Sequence, residues 1–443
     1  MTHDPSPVTG WRCAVCGAEV PIAQPLQWRC PQAGDGGHHV LRIVQHLAPL
    51  RSTGEVNPFV GFRRYLAWDA FAAAHGLDAD ARTSIAVDLD RRIASVAGTG
   101  FVTTPFARST AMSDELGFSA DGGVWVKDET NQVAGSHKAR HLMSIALHLV
   151  TAERLRLVPW TAPSGRPPLA IASCGNAAFA ASTLAAALDW PIRVFVPPGA
   201  NPVVLQRLHE LRADVVECPR MPGDPPGDPC VLRFRDAVAD GAVPFSVQGT
   251  ENAWCLDGGR TIGWEMARHM EEREVGPPLD RLFVQVGGGA FAACVAAGFA
   301  MSGVTPRLHA VQTAACAPLE RAWQRCAQTG GVVGLAGRWG DCMWPWEQVG
   351  TSAADGILDD ETYDWLPVVE AMANGGGRPI VVDEALVAAA NQLVRRGAGL
   401  DASHTGTAGV AGLLAARDEI GDDERVAVIV SGVERRAAVA LRP

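Results

Sequence analysis

The stretch Val124–His141, VWVKDETNQVAGSHKARH, decides how the chain is read. Val124, Trp125 and Val126 make a short β-prone run that ends in the charged Lys127, Asp128 and Glu129. Thr130, Asn131 and Gly135 are turn formers, and Ser136 stands where a helix N-cap belongs. From Lys138 onward the apolar Leu142, Ile145, Ala146 and Leu149 recur at helical spacing. Lys138 therefore falls in the first turn of a helix that leaves a strand and a loop. The partial positive charge of a helix N-terminus disfavours a cation there. The conflict disappears if the amine is held in a covalent imine with an anion nearby. The plainer alternative is a solvated lysine close to a helix start.

Working outward, the rest of the chain alternates strand and helix. Strands are expected at Pro168–Ser173, Ile192–Val196, Ala213–Cys218, Arg281–Val286, Arg307–Gln312 and Arg425–Val430, with helices after Ser173 and over Asn201–Leu211. Such alternation implies βαβ units, parallel sheets and helices on both sheet faces, hence an α/β fold. An amphipathic helix is expected to begin at Phe62 after the Asn57-Pro58 turn. Thr103–Phe106 reads as an ordinary turn, and the tryptophan-rich Trp339–Trp346 stretch has no evident place.

Three short segments carry possible chemistry. Ser173-Cys174-Gly175-Asn176-Ala177 lies between a strand and a helix, where free backbone N–H groups can bind an anion. Cys174 reads there as a small packing residue in preference to a proton-transfer group. Gly287-Gly288-Gly289-Ala290 follows the strand RLFVQ and precedes the helix FAACVAAGFA, so its N–H groups can close on a phosphate. The segment also fits a dinucleotide fingerprint. However, no Asp or Glu occurs between Gly289 and Pro318 to bind a ribose, which favours a lone phosphate. Last, Val428–Gly432 is a buried-type strand that ends in Ser431.

The N-terminal segment differs from the rest. Cys13 and Cys16 form a Cys-x-x-Cys knuckle, Cys30 follows a turn-rich stretch, and His38 and His39 come next. Three thiolates and one imidazole, Cys13, Cys16, Cys30 and His39 (or His38), can close a structural zinc site with no open position. The alternative is a metal-free ribbon packed by Trp11, Trp28 and Val40.

Composition narrows the classes. A hydrophobic share of 47% against 19% charged describes an ordinary globular interior, and 443 residues suffice for two or three domains. A net charge of −10 argues against nucleic acid as a partner. The start MTHDPSPVTG is polar and no apolar run approaches a membrane span. With scattered, odd-numbered cysteines read as reduced thiols, a soluble cytoplasmic protein is expected.

Taken together, the motifs resemble the fold type II pyridoxal-phosphate enzymes: threonine synthase, threonine and serine ammonia-lyases and the tryptophan synthase β-subunit. The resemblance spans about Asn57 to Arg435. It rests on Lys127–Thr130 and Gly135–Lys138, the Ser-Cys-Gly-Asn loop, the glycine cup and the terminal Ser431-Gly432. Asn57-Pro58-Phe59, Thr103–Phe106 and Leu256–Met266 support it, and the cysteine segment resembles the small ribbon of some threonine synthase-like proteins. The second knuckle of that ribbon is often Cys-x-x-Cys, and here only Cys30 remains.

The resemblance implies two parallel-sheet, three-layer domains and a small ribbon. Residues 1–45 would form the ribbon, 46–137 with 251–443 the large cofactor-binding domain, and 138–250 a small α/β domain. It implies pyridoxal 5'-phosphate on Lys138, which also acts as the base. Gly287, Gly288, Gly289 and Ala290 would hold the phosphate with His137 beside it, Asn176 the ring hydroxyl, and Ser431 the pyridine nitrogen. Ser173, Cys174, Gly175 and Ala177 would hold the substrate carboxylate. The implied activity is β-elimination or β-replacement on an amino acid, a lyase in a homodimer. The rival is a non-catalytic ligand-binding or scaffold protein on the same fold. Ala139 departs from the Asp usual after the lysine in threonine synthase, and Ala177 replaces a hydrogen-bonding His or Thr, so the substrate grip is expected to differ.

Overall fold

The computed structural model describes residues 6–34, 38–46, 48–272 and 279–435. Near the start, β1 (Val8–Cys13) pairs antiparallel with β2 (Glu19–Pro21) on one side and β3 (Leu41–Gln45) on the other. This ribbon is pinned to the body of the protein by buried Trp11, whose ring meets Trp254 edge-on at 5.2 Å.

Two larger sheets follow. The first contains β4 (Phe106–Arg108), β5 (Gly123–Asp128), β10 (Arg281–Gln285), β11 (Arg307–Thr313), β12 (Arg378–Val382) and β13 (Arg425–Val430). The second contains β6 (Leu169–Ala172), β7 (Ile192–Val196), β8 (Asp214–Glu217) and β9 (Val243–Pro244). Strand order is β12-β11-β10-β13-β5-β4 in the first and β8-β7-β6-β9 in the second. All pairs are parallel except β4, which joins β5 antiparallel at the edge. The central strands are buried along their length, as a parallel sheet covered on both faces requires. The chain is thus an α/β protein built on parallel sheets.

Glycine governs the helix packing behind the site. Helix Cys255–Glu272 lies against helix Lys138–Arg154 and helix Ala290–Met301. A Cβ at Gly258 would collide with the Arg140 carbonyl oxygen, and one at Gly263 would lie 2.5 Å from the Val295 oxygen. Only hydrogen at these positions lets the helices approach so closely, which gives the Leu256–Met266 spelling a packing reason.

Several expectations need correction. The helix expected from Phe62 is broken into Pro58–Gly61, a 3-10 turn at Arg63–Tyr65 and Ala67–Ala74. Ser136 does not cap the lysine helix. His137 occupies the cap position, and Ser136 Oγ is buried without a partner among the described residues. The cause is the preceding turn, where Ala134 (φ 58°) and Gly135 (φ 70°) are left-handed and carry the chain past the capping geometry. No helix among the described residues is long and apolar enough to cross a membrane. All eleven cysteines are free.

Candidate active site

The chain carries only two lysines, Lys127 and Lys138; its remaining cations are arginines. Both follow from β5, yet they end in opposite environments. Lys127 is wholly buried, donating to Glu265 Oε2 (2.5 Å) and the Thr104 carbonyl (2.8 Å). Arg140 shares the same pocket of charge. It grips Glu129 through Nε and Nη2 (both 2.8 Å) and reaches Glu265 Oε1 (2.5 Å) and Thr261 Oγ1 (2.9 Å). Two cations thus balance two carboxylates, all at zero to one per cent side-chain exposure. The network ties β5 and helix Cys255–Glu272 to the first turn of the lysine helix, so it fixes where Lys138 points.

Lys138 is half-buried and lines a cleft of about 1040 Å³. Burial lowers the basicity of its amine, with Asp359 pulling the other way. Every site residue expected from the sequence outside the ribbon lines this one cleft. Ser173–Ala177 come from the end of β6, Gly287–Ala290 from the end of β10, Ser431 from the end of β13, and His137 from beside the lysine. Carboxyl ends of parallel strands are where such folds place ligands.

Each wall offers defined donors. Helix Asn176–Leu188 starts at Gly175 with no side-chain cap, leaving its first N–H groups to the cleft. Helix Ala290–Met301 starts likewise at Gly289, whose φ of 94° favours glycine. Here an acid stands at the cup: a Cβ at Gly287 would collide with Asp359 Oδ2, and the nearby Gly288 N–H favours the carboxylate. A carboxylate standing at an uncapped helix start marks an anion site, so the cup fits a phosphate once Asp359 moves aside. Burial, with Asp360 and Asp228 nearby, pushes Asp359 up to about 6, against the pull of Lys138.

His137 and Ser431 form the floor. Ser431 Oγ accepts the His137 N–H (3.0 Å) and pairs with His137 Nδ1 at 2.6 Å. The imidazole stacks on Phe291 (3.7 Å between centroids, 12° between planes), and burial drives its pKa well below the ordinary value. Either the ring or the hydroxyl supplies the proton of the Nδ1–Oγ contact, and with Nδ1–H as the donor the Ser431 O–H stays free to meet another ring. Asn176 Oδ1 accepts from Arg435.

Other residues were not legible in advance. Trp344, Pro345 and Trp346 form part of the cleft wall, with Arg321 over the two indoles at 3.9 and 4.9 Å. Asp228, Asp355, Asp359 and Asp360 line it too. Cys174 is exposed in the cleft instead of packed, and burial of its thiol pushes it up to about 11, so it stays protonated. Thr104 is no ordinary turn residue, since it joins the buried charges through Glu129 (2.5 Å).

In the ribbon, the ligand atoms of Cys13, Cys16, Cys30 and His39 all lie within 4.8 Å of one another. Cys13 Sγ is 3.4 Å from His39 Nδ1, and the Cys16 and Cys30 sulfurs are 3.5 Å apart. His38 turns away and stacks on Trp339.

Comparison with known proteins matches this geometry to a family. The family described as "Pyridoxal-phosphate dependent enzyme" matches residues 99–432. No curated protein matches the chain by sequence. Among solved structures, a threonine deaminase from Solanum lycopersicum is 19% identical with a TM-score of 0.57, covering 82% of this chain and 92% of its own. Maize serine racemase is 18% identical at 0.56, covering 79% and 92%. Diaminopropionate ammonia lyase from Escherichia coli is 16% identical at 0.59, covering 80% and 88%. At these identities the likeness is one of fold.

Proposed function

The chain belongs to the pyridoxal-phosphate dependent enzyme family, and on that premise we propose that it catalyses β-elimination or β-replacement on an amino acid in the cleft around Lys138. The observation that carries the reading is the amine itself. In a chain with one other lysine, itself sealed in an ion network, and arginine elsewhere, Lys138 stands half-buried among the strand-end loops of one cleft. A guanidinium cannot lose its proton in a protein, whereas an amine can, and only an amine forms an imine.

Lys138 would carry the cofactor, Gly287–Ala290 its phosphate, Asn176 the ring hydroxyl and Ser431 the pyridine nitrogen. When bound, the cofactor withdraws electrons from the substrate α-carbon. Lys138, its basicity lowered by burial, takes the α-proton. The N–H groups at the start of helix Asn176–Leu188, with that of Cys174, orient the carboxylate, and Trp344 and Trp346 wall the cleft. A hydroxyl at Ser431, unlike a carboxylate, does not hold the pyridine nitrogen protonated, which favours loss of a β-group over prolonged carbanion chemistry. In this reading 46–137 with 251–443 bind the cofactor, 138–250 form a smaller unit, and the protein is a cytoplasmic homodimer. The test is incubation of loaded protein with serine, threonine, phosphoserine and phosphohomoserine. Release of keto acid, ammonia or phosphate supports the reading. Loss of optical purity alone, as in the racemases that share the fold, counts against the lyase.

Asp359 makes cofactor binding depend on pH. Above about pH 6 its carboxylate is ionised and opposes a phosphate at Gly288; below it the group is neutral. Asp359→Asn removes the charge without protonation. At pH 8 the variant is expected to bind pyridoxal phosphate about tenfold more tightly, the equivalent of roughly 1.4 kcal/mol of relieved like-charge repulsion. The advantage should fade below pH 6, as titration by tryptophan fluorescence will report.

A structural zinc in the ribbon belongs to the same reading. Four donors at these separations suit a closed tetrahedral site with Zn–S bonds of about 2.3 Å. Elemental analysis is expected to find about one zinc per chain. Chelation should speed amide exchange over residues 8–45 and leave cofactor binding intact. Protein made with ample zinc that carries none, with an unaltered ribbon, counts against it.

A further inference from the structure

We infer that Arg435 is a positioning residue that locks the side-chain amide of Asn176 with its nitrogen presented as a donor to the cleft. Arg435 lies just past Ser431-Gly432. Its Nη1 donates to Asn176 Oδ1, its Nη2 donates to the Ala134 carbonyl at 2.8 Å, and its guanidinium lies over the Phe179 ring at 4.7 Å. A guanidinium has five donors and no acceptor. The end of the Asn176 amide that faces it must therefore be the oxygen. The two ends of an amide are ordinarily assigned from their hydrogen bonds, and here the partner leaves one choice. Turning the amide over would set N–H against N–H.

The other end of the amide is positioned as tightly. A Cβ at Gly432 would lie 2.7 Å from Asn176 Nδ2, so only glycine there leaves the nitrogen its room. Asn176 and Ser431 both line the cleft, and no other described residue takes the Nδ2 hydrogens by a hydrogen bond. The cleft thus receives an N–H, and it selects an acceptor on the ligand. Burial lowers Arg435 only to about 10, so it remains a cation at neutral pH. Its positive charge further favours an oxyanion close by.

The second bond of Arg435 sets distance. Ala134 lies in the left-handed turn just ahead of Lys138, and Asn176 opens the helix that follows β6. Arg435 therefore clamps the loop that delivers the amine to the helix that delivers the amide. Resting on the cofactor reading above, it holds the ring oxygen of pyridoxal phosphate ionised and in register with Lys138.

The test compares wild type, Arg435→Leu and Arg435→Lys as full chains, with pyridoxal phosphate as the probe. Binding is read by fluorescence quenching, and the ring's ionisation by the ratio of visible to near-ultraviolet absorbance against pH. Arg435→Leu should bind about tenfold more weakly, the loss of one charge-assisted hydrogen bond, and shift the pH midpoint of the visible band. Arg435→Lys, which keeps a cationic donor, should stay within about threefold of wild type. A merely structural role would lower the thermal midpoint and leave the visible band's midpoint in place; that result overturns the inference. If Arg435→Leu does not fold, Asn176→Asp carries the test, because it keeps the contact to Arg435 and removes the N–H. The same displaced midpoint is expected there, and an unshifted one overturns the inference. Wild type that takes up no cofactor overturns the reading beneath it as well. Binding by wild type with an unchanged Arg435→Leu overturns the inference alone.

Discussion

Lys138→Ala is expected to abolish covalent attachment of pyridoxal phosphate and to cost turnover a factor on the order of 10³ or more, since the same amine is carrier and base. Fold should survive, because the side chain makes no hydrogen bond or ion pair among the described residues. Lys138 is half-buried on the cleft surface, and helix Lys138–Arg154 is anchored through Arg140. Reversible binding should persist through the glycine cup. The measurements are the visible spectrum with and without borohydride, and product release from whichever substrate the screen identifies. A variant with wild-type turnover would contradict the role.

Arg140→Met is expected to cost stability roughly 3–5 kcal/mol, the usual penalty for removing one partner from a buried ion network. It would leave Glu129 and Glu265 facing Lys127 alone, with one buried negative charge uncompensated. A carboxyl there would then titrate above its unfolded value. Such a group contributes stability that is present at low pH and lost as pH rises, so the deficit should shrink from pH 8 towards pH 5. Urea midpoints across that range are the measurement. A variant within about 0.5 kcal/mol of wild type at every pH would show that the network does not hold the helix.

What the sequence disclosed and what it hid follow from how far each signal reaches. β7 and β13 begin and end where the largely apolar, β-branched runs Ile192–Val196 and Arg425–Val430 do, because a mostly buried strand writes most of its length in such residues. Helix Pro202–Glu210 starts where Asn201 caps it and Pro202 pre-sets its first turn. The cleft loops were visible for the same local reason: glycines and small polar residues between strand and helix. By contrast, β4 and β9 are three and two residues long and exist only through their neighbours. Lys127 reads only as a charge at a strand end because Glu265, which balances it, lies over a hundred residues away. The tryptophan-rich stretch was opaque likewise. Trp339 is placed by Trp365 and His38, and Trp344 by Arg321, none of which a short window contains. Asp359 carries no motif at all, and only the fold brings it to Gly288.

The central claim is that one amine in this protein carries the cofactor. Two lysines make the test sharp, since Lys127 is sealed against Glu265 and Thr104. Protein loaded with pyridoxal phosphate, reduced with borohydride and digested, is to be mapped by mass spectrometry. The account predicts one reduced cofactor per chain, on the peptide that contains Lys138, with the Lys127 peptide unmodified. No adduct, or an adduct confined to Lys127 or the chain's terminal amine, would contradict it.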